Sequence, residues 1–229
     1  GGVIYHKSAL TYNYLLNYLG EDTFNKAMQT FFEQWKFKHP YPEDLKKCFE
    51  DVTGKNLSWF FDDILGTTKK IDYAVSSVKN DEVTIKNMAS LNAPFCISGL
   101  DKTNKVLFTN WYDGFKGKKQ IKFNPENVSK LKIDYNEAIP EINRKNNTIK
   151  TSGILRKVEP LNIRKVQLFD NPDRTQLGIL PSMGWNNYNQ FMLGAIFYNY
   201  IYVSKFSYQL MPMYGFGNNN LAGSGKLTY

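Results

Sequence analysis

Hydrophobic positions recur with helical spacing through the first part of the chain. They predict four helices, over about residues 5–19, 23–35, 43–53 and 57–64. Gly20, the Pro40 and Pro42 pair, and Gly54 are expected to separate them, and Asn56 to cap the last. The residues expected to face a core are Ala9, Tyr12, Leu16 and Leu19, then Phe24, Ala27, Met28, Phe31, Phe32 and Trp35, then Leu45, Cys48, Phe49 and Val52, and finally Leu57, Phe60, Phe61 and Ile64.

The hydrophobic period changes after residue 70. Short alternating runs separated by Gly, Asn and Asp predict strands over residues 83–86, 94–97, 105–109, 120–123 and 130–133. Their regular spacing is typical of a small antiparallel sandwich. The polar stretch 143–148 that follows is predicted to be a linker.

A third pattern occupies the end of the chain. Residues 191–203 carry no charge but are too few for a membrane helix, which needs about 20 apolar residues. They favour a strand of about ten residues, followed by the alternating run 205–211. Strands of this kind are typical of an outer-membrane barrel, and a hairpin in a second soluble sandwich fits them equally well.

Together the patterns predict an α+β multi-domain protein. An α-helical layer is expected in residues 1–66, an antiparallel β-sandwich in 70–148, and further antiparallel β-strands in 155–229, the start of a strand domain. The chain does not begin with Met, and we interpret it as an internal fragment of a longer protein.

Charge adds little to this picture. The net charge is +8, and the excess lies in residues 66–160, where 17 Lys and Arg face 10 Asp and Glu. Binding of a polyanion is one interpretation, and strong salt dependence would mark it. Lysines on the solvent face and edges of a sheet explain the excess more simply, so no nucleic-acid partner is predicted. Cys48 and Cys96 lie in apolar patterns and are expected to be small buried side chains.

An ordered set of motifs in the helical part resembles the gluzincin aminopeptidases, zinc metallopeptidases that include membrane alanyl aminopeptidase. Residues 5–10, Tyr-His-Lys-Ser-Ala-Leu, are similar to that family's Tyr-x-Lys-Gly-small-Leu stretch. The further matching segments are residues 19–24, the aromatic helix that ends at Trp35, and residues 42–45, 49–54 and 57–61. Residues 71–147 resemble the β-domain that follows the catalytic domain in many members.

The resemblance implies hydrolysis of the peptide bond next to a free N-terminus, with a peptide as substrate and zinc as cofactor. The family holds zinc with H-E-x-x-H and a later Glu, and the motif Glu acts as general base. Tyr5 matches the tyrosine whose phenol donates a hydrogen bond to the oxyanion at the tetrahedral centre. The alternative for Tyr5 is an aromatic side chain that packs at the start of a helix.

The chain departs from the family pattern in three places. Ser8 stands where Gly is usual, the H-E-x-x-H motif is absent, and so is a G-x-M-E-N-type substrate motif. His6 and His39, the two histidines, are 33 positions apart, and both are interpreted as non-ligands. In the family the zinc ligands precede the tyrosine, so they are expected upstream of this chain and none within it. The isolated chain is therefore predicted to be inactive.

The final segment resembles the start of the outer-membrane strand domain fused to some aminopeptidase-like proteins of Gram-negative bacteria. It implies association with the outer membrane through the C-terminal strands, and a location in the outer membrane or periplasm. Two functions stay open at this point. One is a fragment of a zinc-dependent metallo-aminopeptidase, and the other is a non-catalytic outer-membrane or surface protein that binds partners or acts as a scaffold.

Overall fold

The chain forms two compact units, Gly1–Lys157 and Val158–Tyr229. The computed structural model describes residues 2–157, 161–164, 175–199 and 206–229. Helices are followed by sheets whose strands pair mainly antiparallel, so the predicted α+β multi-domain class is confirmed. No helix among the described residues is long and apolar enough to cross a bilayer.

The helical elements lie close to their predicted positions. They are α1 (Gly2–Leu19), α2 (Glu21–Trp35), α3 (Pro42–Thr53) and a π-helix (Trp59–Leu65). Local signals define α3, because the Asp44 carboxylate accepts a hydrogen bond from the Tyr41 backbone N–H at 2.8 Å. At the other end Gly54 adopts φ 65°, a left-handed conformation that glycine enters at no steric cost.

The buried face of α1 differs from the predicted stripe. Ala9 is exposed, whereas Thr11, Tyr14 and Leu15 are buried. Tyr14 decides this orientation, since its hydroxyl donates a hydrogen bond to the Pro94 carbonyl in the sheet layer. Thr11 can be buried on this face because its hydroxyl bonds the Ser8 carbonyl at 3.0 Å, which satisfies the polar group within the helix.

The aromatic face of α2 is only partly covered. Ala27 is fully buried and Phe24 packs against Phe49 with ring centroids 5.6 Å apart. Met28 and Phe32, which the helical spacing also placed in a core, are exposed. The prediction of one wholly buried face was therefore wrong for these two positions.

The fourth helical segment is a π-helix instead of an α-helix. Leu57, Phe60 and Ile64 are buried as predicted, and Phe61 is half-buried. The wider turn does not change which side chains enter the core. Asn56 was predicted to cap the segment, but the N-cap is Ser58. The Asn56 side-chain oxygen instead accepts the Ser58 N–H at 2.9 Å, a local turn contact that precedes the helix.

Two sheets form the sandwich of the first unit. Its strands are β1 (Tyr73–Lys79), β2 (Glu82–Asn87), β3 (Phe95–Leu100), β4 (Val106–Tyr112), β5 (Lys118–Lys122), β6 (Lys130–Ile133) and β7 (Thr148–Lys150). One sheet has the order β1-β2-β5 and the other β4-β3-β6-β7, with antiparallel pairing throughout. The five predicted strands are confirmed, and β1 and β7 are additional.

A single core joins the sandwich to the helices. Buried side chains of α1, α3 and the π-helix belong to the same hydrophobic cluster as those of both sheets. Tyr14 lies between Trp59 of the π-helix and Trp111 of β4, with centroid distances of 5.0 and 6.1 Å. Aromatic contacts of this kind add to the burial of apolar area. The helical layer therefore packs directly on the sandwich.

The segment predicted to be a linker is part of the sandwich. The Asn146 carbonyl accepts the Val75 N–H of β1 at 2.9 Å, and the Asn147 carbonyl accepts the Ile133 N–H of β6 at 2.9 Å. Residues 146 and 147 thus connect the two sheets through backbone hydrogen bonds. The linker prediction was wrong because backbone carbonyls of this stretch accept hydrogen bonds from strands of both sheets.

The second unit contains one five-stranded sheet. Its strands are β8 (Leu161–Arg164), β9 (Thr175–Asn186), β10 (Gln190–Tyr198), β11 (Ser207–Gly215) and β12 (Asn220–Thr228). The order is β12-β11-β10-β9-β8, with β8 parallel to β9 and the other pairs antiparallel. The two predicted runs, 191–203 and 205–211, fall on β10 and β11, and residues 200–205 lie outside the described residues.

Candidate functional site

Tyr5 lies in the first turns of α1, and its side chain is 78% exposed. In the described part of the chain it does not pack into a core. An exposed phenol can donate its proton to an oxygen of an incoming molecule. The role of Tyr5 in catalysis stays a prediction.

A small cleft lies along α1 and does not include Tyr5. Its volume is about 160 Å³. The residues that line it are Lys7, Leu10, Thr11, Ile64, Lys69, Lys70, Ile71, Pro140 and Ile142. Tyr5 is absent from the lining because positions 5 and 7 lie about 200° apart around an α-helix. The phenol therefore faces a different direction from this lysine-rich cleft.

The residues that the structure describes do not form a zinc site. Within the described ranges no three His, Cys, Asp or Glu side chains come close enough to hold a metal ion. His6 and His39 are both exposed, one on α1 and the other in the turn before α3. A catalytic zinc needs three protein ligands, so no catalytic step through a metal is assigned to these residues.

Both thiols are buried and free, as predicted. Burial raises the pKa of Cys96 to about 12 and also raises that of Cys48. The thiolate is the nucleophilic form of cysteine. Neither side chain is thus suited to act as a nucleophile at neutral pH.

A network of buried charged groups lies at the edge of the sandwich. Arg144 Nη1 donates to Asp134 Oδ2 at 2.9 Å, and Arg144 Nη2 donates to the Ile139 carbonyl at 2.6 Å. The Asp134 side chain is 1% exposed and also accepts the backbone N–H groups of Ala138 and Ile139, both at 2.9 Å. The hydrogen-bond partners of the Asp134 side chain are Arg144 and the backbone of its own turn. We therefore interpret the network as one that stabilises the fold.

Glu141 extends this network towards the other sheet. One carboxylate oxygen accepts the Tyr73 N–H at 2.9 Å, and the other accepts the side-chain amide of Asn147. The Asn147 side-chain oxygen is buried without a hydrogen-bond partner among the described residues. Burial raises the pKa of Glu141 to about 7, against an ordinary value of 4.5. A protonated Glu141 can donate to that oxygen once the amide rotates.

This raised pKa predicts a pH dependence of stability. The folded chain binds the Glu141 proton more tightly than the unfolded chain, so the free energy of unfolding falls as pH rises from about 4.5 to about 7. The expected loss is about 3 kcal/mol, at 1.36 kcal/mol per pKa unit. Glu141→Gln should remove most of this loss, measured by urea unfolding at pH 5 and pH 8.

The matched control is Glu126→Gln, at an exposed loop position. It should keep the pH dependence of the unchanged chain. Some dependence will remain in Glu141→Gln, because burial also raises the pKa of Asp134. If Glu141→Gln and Glu126→Gln lost stability equally between the two pH values, the assignment to Glu141 would be wrong.

Sequence reasoning found the exposed tyrosine but missed the buried network. Asp134, Glu141 and Arg144 were not singled out, and Asn147 was placed in a linker. One local signal was available, since Asp134 directly follows the alternating strand residues 130–133. An acidic residue at that point commonly accepts hydrogen bonds from the following backbone.

Comparison with known proteins adds a family for the helical part. Residues 1–64 match the family model described as Peptidase family M1 domain. No curated protein shows a significant match to the chain. Among solved structures, the crystal structure of Legionella pneumophila aminopeptidase A in complex with aspartic acid is similar, at 16% identity and a TM-score of 0.46. That match covers 59% of this chain and 17% of the Legionella chain.

The family match and the motifs agree in position. The match ends at residue 64, within the π-helix, and the motif set runs from Tyr5 to residue 61. Over residues 1–64 the chain is therefore similar to the Peptidase family M1 domain, in agreement with the resemblance of its motifs to the gluzincin aminopeptidases.

Proposed function

We propose that residues 1–64 are part of the catalytic domain of a zinc-dependent metallo-aminopeptidase, which hydrolyses the peptide bond next to a free N-terminus. The single observation that supports this is the M1 family match over these residues. The exposed phenol of Tyr5 within the matched region is consistent with it. The substrate is a peptide, as the family implies.

In this proposal Tyr5 stabilises the transition state. Attack of water on the scissile carbonyl places negative charge on the carbonyl oxygen, and the Tyr5 hydroxyl donates a hydrogen bond to it. A phenol suits this role because its O–H is a hydrogen-bond donor. Bound zinc would supply Lewis-acid polarisation and a more acidic water.

The zinc ligands are proposed to lie outside this sequence. H-E-x-x-H is absent from it, and in the family order of motifs the ligands come before the tyrosine. The isolated chain is accordingly proposed to be inactive. This statement can be tested directly on the chain as it stands.

The test is a peptidase assay on the purified chain with added Zn²⁺ and a panel of aminoacyl 4-nitroanilides. The expected result is no release of nitroaniline above the rate without protein. Release that survives in the Tyr5→Phe variant would indicate a contaminating enzyme. Release by the unchanged chain that falls in Tyr5→Phe would contradict the proposed inactivity.

A second function is a non-catalytic surface or outer-membrane protein that keeps the helices and sandwich as a scaffold. The uncharged strand β10 is consistent with such a surface protein. Zinc analysis of the longer natural protein separates the two. Stoichiometric zinc with chelator-sensitive peptidase activity supports the enzyme, and a protein without zinc supports the scaffold.

We propose a cell-envelope location in a Gram-negative bacterium, with outer-membrane association through the strands of residues 155–229. The long uncharged strand β10 supports it. Fractionation of cells that express the natural protein tests it. Recovery with the outer-membrane fraction is expected, and recovery in the cytoplasm would contradict the proposal.

A further inference from the structure

The part of the sheet formed by β9–β12 has two faces that differ in composition. Directly opposed residues of antiparallel strands lie on the same face, and the register pairs Trp185 with Phe191, Leu193 with Tyr214, and Tyr214 with Leu221. One face therefore consists of the odd-numbered residues of 177–185, 191–197 and 221–227 with the even-numbered residues of 208–214. We name it the apolar face.

The apolar face contains no Asp, Glu, Lys, Arg or His. Its large side chains are exposed over the length of the strands, among them Met183, Trp185 (67%), Leu210 and Leu221 (83%). Soluble monomers rarely expose a contiguous apolar patch of more than a few hundred Å². A face of this composition is stable only when something apolar covers it.

The opposite face differs in chemistry and is partly filled by its own side chains. Ser182, Gln209 and Lys226 lie on it. Met192 and Met213 are buried there, and a Cβ at Gly184 would lie 3.3 and 3.2 Å from their methyl groups. The opposite face thus mixes polar and small residues with buried methionines, whereas the apolar face carries no charged residue.

The dimensions of the apolar face match a lipid layer. β9 has 12 residues and β10, β11 and β12 have nine each. A strand of about 9–11 residues crosses the hydrocarbon core of a bilayer. Aromatic rings gather at one end of the strands, with Phe216 5.9 Å from Phe191 and 5.2 Å from Tyr214. Aromatic side chains are enriched where strands meet the headgroups.

We propose that the apolar face contacts the acyl chains of a lipid bilayer. A protein partner or a second copy fits less well, because protein interfaces have a polar rim around their apolar centre. On this sheet the apolar side chains run along whole strands with no charged residue among them. The inference deepens the proposed outer-membrane association and rests on it.

The test compares two neighbouring positions on β11 that point to opposite faces. Leu210→Cys lies on the apolar face and Gln209→Cys on the other, and both positions are exposed. Each full chain is labelled with the fluorophore NBD and mixed with phosphatidylcholine vesicles, whose zwitterionic headgroups avoid simple attraction by the +8 net charge. Labelling of the unchanged chain checks that the buried Cys48 and Cys96 stay unreacted.

Flotation of the vesicles measures binding, and two quenchers report which face meets lipid. The label at 210 should be quenched by doxyl groups on the acyl chains and shielded several-fold from aqueous iodide. The label at 209 should behave in the opposite way. Vesicle binding with equal quenching at both positions would overturn the assigned face while leaving membrane association intact.

Two further results would also overturn the proposal. Failure of the chain to float with vesicles would contradict membrane association itself, whatever the role of the peptidase part. Shielding of the label at 210 that depends on protein concentration without vesicles would show that a second copy covers the face. Leu193→Cys and Gln190→Cys on β10 form a second pair with the same expected contrast.

Discussion

Replacement of Arg144 by alanine is expected to lower the free energy of unfolding by about 3–5 kcal/mol at neutral pH. The guanidinium is the cation that pairs with Asp134, whose side chain is 1% exposed. It also donates to the carbonyls of Glu137 and Ile139, at 3.1 and 2.6 Å. Its removal leaves a buried carboxylate with no opposing charge and two carbonyls with one donor fewer. Urea unfolding at pH 7.5 measures the loss.

The loss should shrink in acid. Burial already raises the pKa of Asp134, and removal of Arg144 takes away a cation that holds this pKa down. Asp134 will then protonate at a higher pH and become neutral, so the unpaired charge disappears. We expect a clearly smaller effect of Arg144→Ala at pH 5 than at pH 7.5.

Lys36→Ala is the matched control, since it also removes a cation from an ion pair. Lys36 and Glu33 lie 2.5 Å apart, but both side chains are largely exposed. Exposed pairs contribute about 0–1 kcal/mol, because water and salt screen them. Equal losses for Lys36→Ala and Arg144→Ala would show that the buried network is not what stabilises this edge of the sandwich.

Elements whose signals lie within a few residues were predicted well from the sequence. Helix α3 was predicted closely because its signals are local, with Asp44 and Pro42 at one end and Gly54 at the other. The predicted strands followed from alternation and turn residues in the same way. Signals of this kind act over a few residues and can be read without knowing the partners.

Tertiary contacts over long sequence distances account for what was missed. Asn146 bonds the Asp72 side chain at 2.9 Å across 74 residues, so a polar stretch that resembles a linker is part of the core edge. Tyr14 reaches the Pro94 carbonyl across 80 residues and turns α1 away from the predicted stripe. The hydrophobic periodicity of one segment does not predict a contact with a residue so far away in the sequence.

Of the candidate site, the sequence predicted only the residue that a motif identifies. Tyr5 was chosen from its place in a Tyr-x-Lys pattern, and the structure shows its phenol exposed on α1. The second unit shows the same limit, since alternation predicted strands in residues 191–211. Which residues share a face became clear only from the register of β9–β12.

Replacement of Tyr5 by phenylalanine is expected to lower kcat by about 10²- to 10³-fold in the zinc-loaded natural protein, the cost of losing one oxyanion donor. The change removes only the hydroxyl, which the proposal uses in the transition state and not in the bound substrate. KM should consequently change little. Steady-state kinetics with an aminoacyl 4-nitroanilide, at equal zinc content, measure both constants.

Tyr41→Phe is the control, because Tyr41 is also an exposed tyrosine of the M1-matched region and its helix-capping contacts use its backbone. It should keep the kcat of the unchanged protein. A loss of zinc in Tyr5→Phe would assign Tyr5 to the metal site instead, and equal kcat values for both variants would remove Tyr5 from the mechanism. A fall in kcat confined to Tyr5→Phe is what distinguishes an oxyanion donor from a tyrosine that merely begins a helix.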